Sequence, residues 1–129
     1  MQCQVEWMTR AREEAALRDM ERLQGGWRYV AGPRQASLII EGDQYVMRFR
    51  NGDQYEGNLT LDPCCRPRAM DMTIEHGPEH HCGKHVRAIY QFDGPHLIWC
   101  PGIPGEEARP EAFPPLDGSA LCLIFRRAT

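Results

Sequence analysis

From Trp27 onward, apolar and polar residues alternate with a period of two, and turn-forming residues interrupt the alternation at short intervals. Such alternation is typical of strands that place one face on a core and the other in water. Asn51-Gly52 and Asp93-Gly94 are hairpin signals, because they tolerate the positive φ angles that tight turns need. We therefore predict eight strands that pair with their sequence neighbours, over residues 27–30, 37–40, 44–50, 54–61, 69–74, 85–92, 96–100 and 121–127.

The predicted sheet has one apolar face and one polar face. A sheet of eight strands removes its exposed edges best by closing into an antiparallel β-barrel, here over residues 27–127. The residues expected to point into that barrel are Tyr45, Met47, Phe49, Tyr55, Gly57, Leu59, Leu61, Met70, Met72, Ile74, Val86, Ala88, Tyr90, Phe92, Leu97, Trp99, Leu121, Leu123 and Phe125.

The segment before the strands has the composition of a helix. Residues 9–24 are rich in Ala, Arg, Glu, Leu and Met, which are strong helix formers. Apolar residues recur near helical spacing at Met8, Ala15, Ala16, Met20 and Leu23. Thr9 is the expected cap, and Gly25-Gly26 is the expected stop. We predict one N-terminal amphipathic helix over residues 9–24, which covers a barrel opening or edge.

Composition excludes several classes of protein. With 129 residues the chain has the length of a single domain, residues 1–129. Its net charge is −3 and its basic residues are scattered, apart from Arg126-Arg127, which argues against nucleic acid as a partner. The apolar runs are too short for a membrane helix, which argues against a membrane role. The N-terminus carries no secretory signal pattern, so a cytoplasmic location is expected.

Six short motifs in a fixed order carry a family resemblance. They are LQGGW at 23–27, GNLTLD at 57–62, PRAMDM at 67–72, AIYQFDGPHLIWC at 88–100, GEEARP at 105–110 and LCLIFRR at 121–127. Together they cover about residues 19–127 and resemble an uncharacterised lipocalin-like domain family found mainly in planctomycete bacteria. The resemblance implies a bacterial, lipocalin-like barrel of the calycin type, and it assigns no activity. The expected fold is thus mostly β, an eight-stranded antiparallel lipocalin-like β-barrel with one N-terminal helix.

The start of the first strand and the end of the last strand look like the wider lipocalin signature. Gly25-x-Trp27 is similar to its Gly-x-Trp element, and an Arg follows at the end of the chain's last strand. The resemblance implies that the Trp27 indole plugs one end of the barrel beneath a stacked guanidinium, a cation–π contact. Arg126 is the predicted partner of Trp27, with Arg127 as the alternative.

The barrel interior is the predicted ligand site. We expect a small apolar or amphipathic molecule to be bound by Tyr45, Met47, Tyr55, Met70, Met72, Tyr90 and Trp99. The same side chains could instead fill the interior of a small barrel that holds no ligand. In that case the expected function is an interaction domain that binds a protein partner. A loop rich in proline, residues 101–118, is expected to act as a crossover or lid. No nucleophile with a base and an orienting acid is evident, so no catalysis is predicted.

A loop rich in histidine and cysteine gives a further alternative. Imidazole and thiolate are ligands for zinc, and either can bind haem iron. The predicted ligands lie in the loop over residues 76–85 and in a second, proline-flanked loop: His80, His81, Cys82, His85, Cys64 and Cys65. No Cys-x-x-Cys or His-Glu-x-x-His spacing supports this site. The remaining strand cysteines, Cys100 and Cys122, are expected to be reduced, buried core residues.

Overall fold

The computed structural model describes residues 2–116 and 120–128 and confirms the eight-stranded antiparallel β-barrel with an N-terminal helix. The barrel is closed, since each strand pairs with the next and the last pairs with the first. Its elements are α1 (Gln2–Leu23), β1 (Gly25–Ala31), β2 (Ala36–Glu41), β3 (Gln44–Phe49), β4 (Gln54–Asp62), β5 (Arg68–Thr73), β6 (His85–Asp93), β7 (His96–Pro101) and β8 (Leu123–Arg127).

The predicted element boundaries hold to within about two residues, except at the start of the helix. Helix α1 begins at Gln2, so Thr9 lies inside it and the predicted cap is wrong. Residues 2–8 contain no Gly or Pro and thus nothing that stops a helix from extending toward the N-terminus. Of the predicted loop over residues 101–118, residues 117 and 118 lie outside the described part of the chain. None of the described helical residues forms a segment long and apolar enough to cross a membrane.

Side chains alternate between the inside and the outside of the barrel as predicted. Leu38 on β2 pairs with Met47 on β3, which pairs with Tyr55 on β4, and directly paired residues share a face. Most of the predicted inward residues are buried in one core, while Tyr55, Leu61, Phe92 and Leu121 are partly buried at its margins.

The wall is tightest where β4 meets β5. A Cβ atom at Gly57 would lie 1.9 Å from the carbonyl oxygen of Thr73, so no larger residue fits at that position. The same carbonyl accepts a hydrogen bond from the hydroxyl of Tyr45 at 2.7 Å. The absence of a side chain at Gly57 thus lets three strands approach one another closely.

The connections fall at two ends of the barrel, because an antiparallel meander reverses direction at every turn. The loops after β2, β4 and β6 lie at the end where α1 enters, which we call the helix end. The loops after β1, β3, β5 and β7 lie at the opposite end, which we call the open end. Cys64 and Cys65 follow β4 at the helix end, whereas residues 74–84 join β5 to β6 at the open end. The predicted metal site that combined these two loops is therefore wrong.

The C-terminal half of α1 closes the helix end. Leu23 is fully buried, and Met20 packs against the barrel core beside it. Asp19 is a buried carboxylate that accepts hydrogen bonds from the guanidinium of Arg68 at 2.8 Å and from the hydroxyl of Tyr90 at 2.7 Å. The helix is thus joined to the barrel by apolar packing and by a polar network that the sequence analysis did not predict.

A small second cluster lies on the outer face of the wall. Ile89, Cys100 and Cys122 are buried there, and Phe113 from the proline-rich segment packs against them. The prediction that both cysteines are buried is confirmed, although they lie outside the barrel and not in its core. Burial raises the pKa of Cys100 to about 11, which disfavours its thiolate. The proline-rich segment therefore covers part of the barrel wall as well as its rim.

Candidate ligand-binding site

The open end of the barrel leads into a half-enclosed cavity of about 580 Å³. Its inner wall is formed by aromatic and aliphatic side chains from five strands and the start of the β5–β6 loop: Tyr45, Met47, Phe49, Tyr55, Met72, Ile74, Val86 and Trp99. The proline-rich segment contributes the rim over residues 101–110. Ligand pockets commonly enclose about 300–1,000 Å³ and are mostly apolar, so both size and lining suit a small molecule.

Five of the seven predicted ligand-binding residues line this cavity: Tyr45, Met47, Tyr55, Met72 and Trp99. The other two, Met70 and Tyr90, are inward-facing but lie nearer the helix end of β5 and β6, where side chains fill the barrel. Met70 and Tyr90 thus do not line this cavity. Alternation identifies which residues point inward, but it does not say how deep the cavity extends.

The indole of Trp99 lies in the cavity wall with an unused donor. Among the described residues, its Nε1 is the one buried side-chain nitrogen or oxygen that has no hydrogen-bond partner. A buried donor without a partner costs about 1–3 kcal/mol, so most proteins avoid it. The indole of Trp27 at the other end of the barrel donates to the carbonyl of Leu23 at 2.9 Å. Trp99 is therefore the exception that calls for an explanation.

Tyr45 adds a neutral phenol to the same wall. Its hydroxyl donates to the carbonyl of Thr73 at 2.7 Å, which leaves the phenolic oxygen only as an acceptor. Burial raises the pKa of Tyr45 well above its ordinary value of 10.0, because the inner wall solvates a charge poorly. The inner part of the cavity thus favours an uncharged molecule.

The mouth of the cavity is more polar. The hydroxyl of Tyr55 and the Nδ1 atom of His81 lie 2.8 Å apart. The guanidinium of Arg34 lies 4.0 Å from the ring centroid of Phe49, and its ion pair with Asp53 is long, at 3.8 Å. Burial lowers the pKa of His81, and the neighbouring His80 and Lys84 lower it further. The imidazole of His81 is therefore mainly neutral at pH 7.

Sequence reasoning missed several of the cavity residues. Phe49, Ile74 and Val86 were expected to point inward, and a count of positions from the open end would have placed them in the site. Arg34 and His81 lie in loops, where no periodic pattern indicates direction. Their contribution could not be predicted, because it depends on how the loops fold over the rim.

The structure does not assemble the predicted metal site. His81 contacts Tyr55, and the ring of His80 lies 4.0 Å from the ring of His81. Cys82 donates to the backbone carbonyl of Glu75 at 3.3 Å, and His85 is an exposed first residue of β6. Within the described part of the chain, no three His, Cys, Asp or Glu side chains converge on a point that could hold a metal ion. The prediction of a shared ligand set in this loop is therefore wrong.

The guanidinium over Trp27 belongs to Arg127, 4.6 Å from the ring centroid. The prediction that Arg126 occupies this position is wrong, and the alternative is confirmed. Trp27 pairs directly with Arg127, so their side chains share a face, whereas Arg126 pairs with Arg28 on the other face. A count of one residue along β8 thus decides which arginine closes the barrel.

Comparison of this chain with protein-family models, with curated proteins and with solved structures found no significant match. The resemblance to a planctomycete lipocalin-like family remains a prediction.

The pKa of His81 gives a testable pH dependence of stability. Because this pKa is lowered below its ordinary value of 6.5 on folding, the unfolded chain binds more protons as the pH falls through that region. The folded protein should therefore lose stability between about pH 7 and about pH 5. In His81→Asn the amide oxygen still accepts from Tyr55 but does not titrate, so this variant should lose less stability over the same interval.

The measurement is the urea midpoint of both proteins at the two pH values. The other histidines are common to both proteins, so their contribution cancels in the comparison. An equal decline in the two proteins would show that His81 has no part in the pH dependence.

Proposed function

We propose that this protein is a lipocalin-like binding protein that holds a small apolar or amphipathic molecule in the open end of its barrel. The observation that carries this proposal is the cavity of about 580 Å³ that the protein's own side chains leave unfilled. A barrel of eight strands has an interior just large enough to be filled by side chains or to hold one small ligand. Here the helix end is filled and the open end is not, which supports ligand binding over a filled interaction domain.

The arrangement of the two ends supports the same proposal. The helix end is closed by α1, by Trp27 and by the core around them, so a ligand has no route through it. The open end is bordered by loops, which adjust to a ligand more readily than strands do. The cysteines whose pKa values shift, Cys65, Cys100 and Cys122, all shift upward, so none is an activated nucleophile. We therefore propose binding without catalysis.

Filling the cavity should weaken binding without unfolding the protein. Val86 lies in the inner wall and is buried, so Val86→Phe adds apolar volume where the ligand would lie. We expect the affinity for diphenylhexatriene, a fluorescent dye without polar atoms, to fall by at least about fivefold, which corresponds to about 1 kcal/mol. The matched control is Val46→Phe. Val46 lies between the buried residues Tyr45 and Met47 on β3, so its side chain is on the opposite face of the strand and points away from the core.

The measurement is a fluorescence titration of the dye into wild type and both variants, with circular dichroism to verify the fold. Native mass spectrometry of the protein as purified would show any molecule that remains bound. If the dye does not bind wild type, or binds Val86→Phe and Val46→Phe equally well, the cavity is not the binding site and the proposal is wrong.

A further inference from the structure

Three polar groups around the cavity have hydrogen-bond donors that nothing in the described structure uses. The first is the Nε1–H of Trp99, which is buried and unpaired. The second is the guanidinium of Arg34, which stacks on Phe49 and has an acceptor no closer than the Asp53 carboxylate at 3.8 Å. The third is a ring nitrogen of His81. All three residues line the same cavity.

The proton on His81 follows from its contact with Tyr55. The phenol of Tyr55 has one proton, and within the described structure the Nδ1 atom of His81 is its hydrogen-bond partner at 2.8 Å. When Tyr55 donates this proton, Nδ1 is the acceptor and a neutral imidazole must carry its own proton on Nε2. In this tautomer His81 presents an N–H donor at the mouth of the cavity.

Acceptors are scarce on the same surface. The oxygen of Tyr45 can act only as an acceptor, since its proton is already donated to the carbonyl of Thr73. Of the described residues that line the cavity, Glu106 alone carries a carboxylate, and it is exposed at the rim. An indole N–H and a guanidinium can donate but never accept. The polar side chains of the cavity can therefore bind acceptor atoms of a ligand, but they offer few partners to a ligand's donor groups.

We propose that the bound molecule is an apolar carbonyl compound, such as a ketone or an ester, whose oxygen accepts a hydrogen bond from Trp99. This inference rests on the proposed function and specifies its ligand class. An amine or an alcohol of the same size binds less well, because its proton loses its hydrogen bond to water and the phenolic oxygen of Tyr45 is the main side-chain acceptor that the inner wall offers in exchange. In this structure the Nε1 atom of Trp99 is covered. The Trp99 side chain must shift to bring this atom to the ligand, and such side-chain changes are common on binding.

A matched pair of ligands separates this hydrogen bond from hydrophobic burial. 2-Acetylnaphthalene carries a carbonyl acceptor, whereas 2-ethylnaphthalene has nearly the same shape and no polar atom. Both are measured by displacement of diphenylhexatriene from wild type and from Trp99→Phe. The variant keeps an aromatic ring in the wall and removes the N–H together with part of the indole's apolar volume. The hydrocarbon reports the effect of the lost volume alone. We expect the affinity for the ketone to fall about three- to tenfold, as for loss of one neutral hydrogen bond, and that for the hydrocarbon to change by less than about twofold.

A measurement on wild type keeps the test decisive if Trp99→Phe does not fold. In ¹H–¹⁵N NMR spectra the indole N–H proton of Trp99 should shift downfield when 2-acetylnaphthalene binds, because it then forms a hydrogen bond, and it should shift much less with 2-ethylnaphthalene. Equal losses of affinity for both ligands in Trp99→Phe, or equal shifts of the indole proton with both ligands, would overturn the inference while the proposed function stands. If the dye itself fails to bind wild type, the proposed function is wrong and this inference with it.

Discussion

Replacing Trp27 by Ala is expected to lower the free energy of unfolding by about 3–5 kcal/mol, the range for truncation of a buried Trp or Phe. Trp27 is almost fully buried at the helix end of the barrel core. Its indole N–H donates to the carbonyl of Leu23 at 2.9 Å, so it also fixes the end of α1. The truncation leaves a cavity and an unpaired carbonyl in the same place, and both effects destabilise the folded state.

Urea unfolding followed by circular dichroism measures this change. Trp27→Phe is the first control, because it keeps most of the apolar volume and removes the hydrogen bond, and we expect a smaller loss of about 1–2 kcal/mol. A loss of less than about 1 kcal/mol for Trp27→Ala would show that the indole does not close the barrel.

The two neighbouring arginines provide a matched control for the closure. The guanidinium of Arg127 lies over Trp27 and donates to the backbone carbonyls of Arg22 and Gln24 at the C-terminus of α1. A cation there also complements the negative end of the helix dipole. Arg127→Ala should therefore cost about 1–2 kcal/mol, whereas Arg126→Ala should change stability by less than about 0.5 kcal/mol. Equal effects would contradict the assigned stacking.

The difference between these arginines shows what sequence patterns determine and what they leave open. Alternation is sufficient to assign strands and faces, because side chains on a strand point to opposite sides at every step. It does not determine register, which depends on the lengths of turns and on bulges such as the irregularity between Tyr29 and Ala31. The choice between the arginines did not depend on register, because the alternation that places Leu123 and Phe125 inward also places Arg127 on their face and Arg126 on the other.

The candidate site was predictable only in part for a similar reason. The inward residues Tyr45, Met47 and Trp99 follow from strand periodicity, and the structure places them in the cavity. The meander also fixes which loops share an end, so the separation of Cys64 from the histidine-rich loop could have been deduced from strand count alone. The depth of the cavity could not be deduced from the sequence, because it depends on how far the side chains of α1 enter the barrel.

Asp19 joins the helix to the barrel wall, and Asp19→Ala is expected to cost about 2–4 kcal/mol. The carboxylate is buried and is bound by Arg68 and by the hydroxyl of Tyr90. Without it, the phenol of Tyr90 is buried with no partner, since burial prevents it from reaching water. The loss stays below that of a fully buried ion pair, because Arg68 is partly exposed and can be solvated.

A double-variant cycle identifies the network as the source of this loss. Tyr90→Phe removes the hydroxyl that Asp19 accepts from, so the loss from Asp19→Ala should be smaller in that background by about 1 kcal/mol or more. Glu14→Ala is the control for helix propensity, since Glu14 is an exposed residue of the same helix and its replacement should change stability by less than about 0.5 kcal/mol. Strict additivity of Asp19→Ala and Tyr90→Phe would mean that the two side chains do not interact. Coupling would mean that the bond between Asp19 and Tyr90 holds α1 to the barrel.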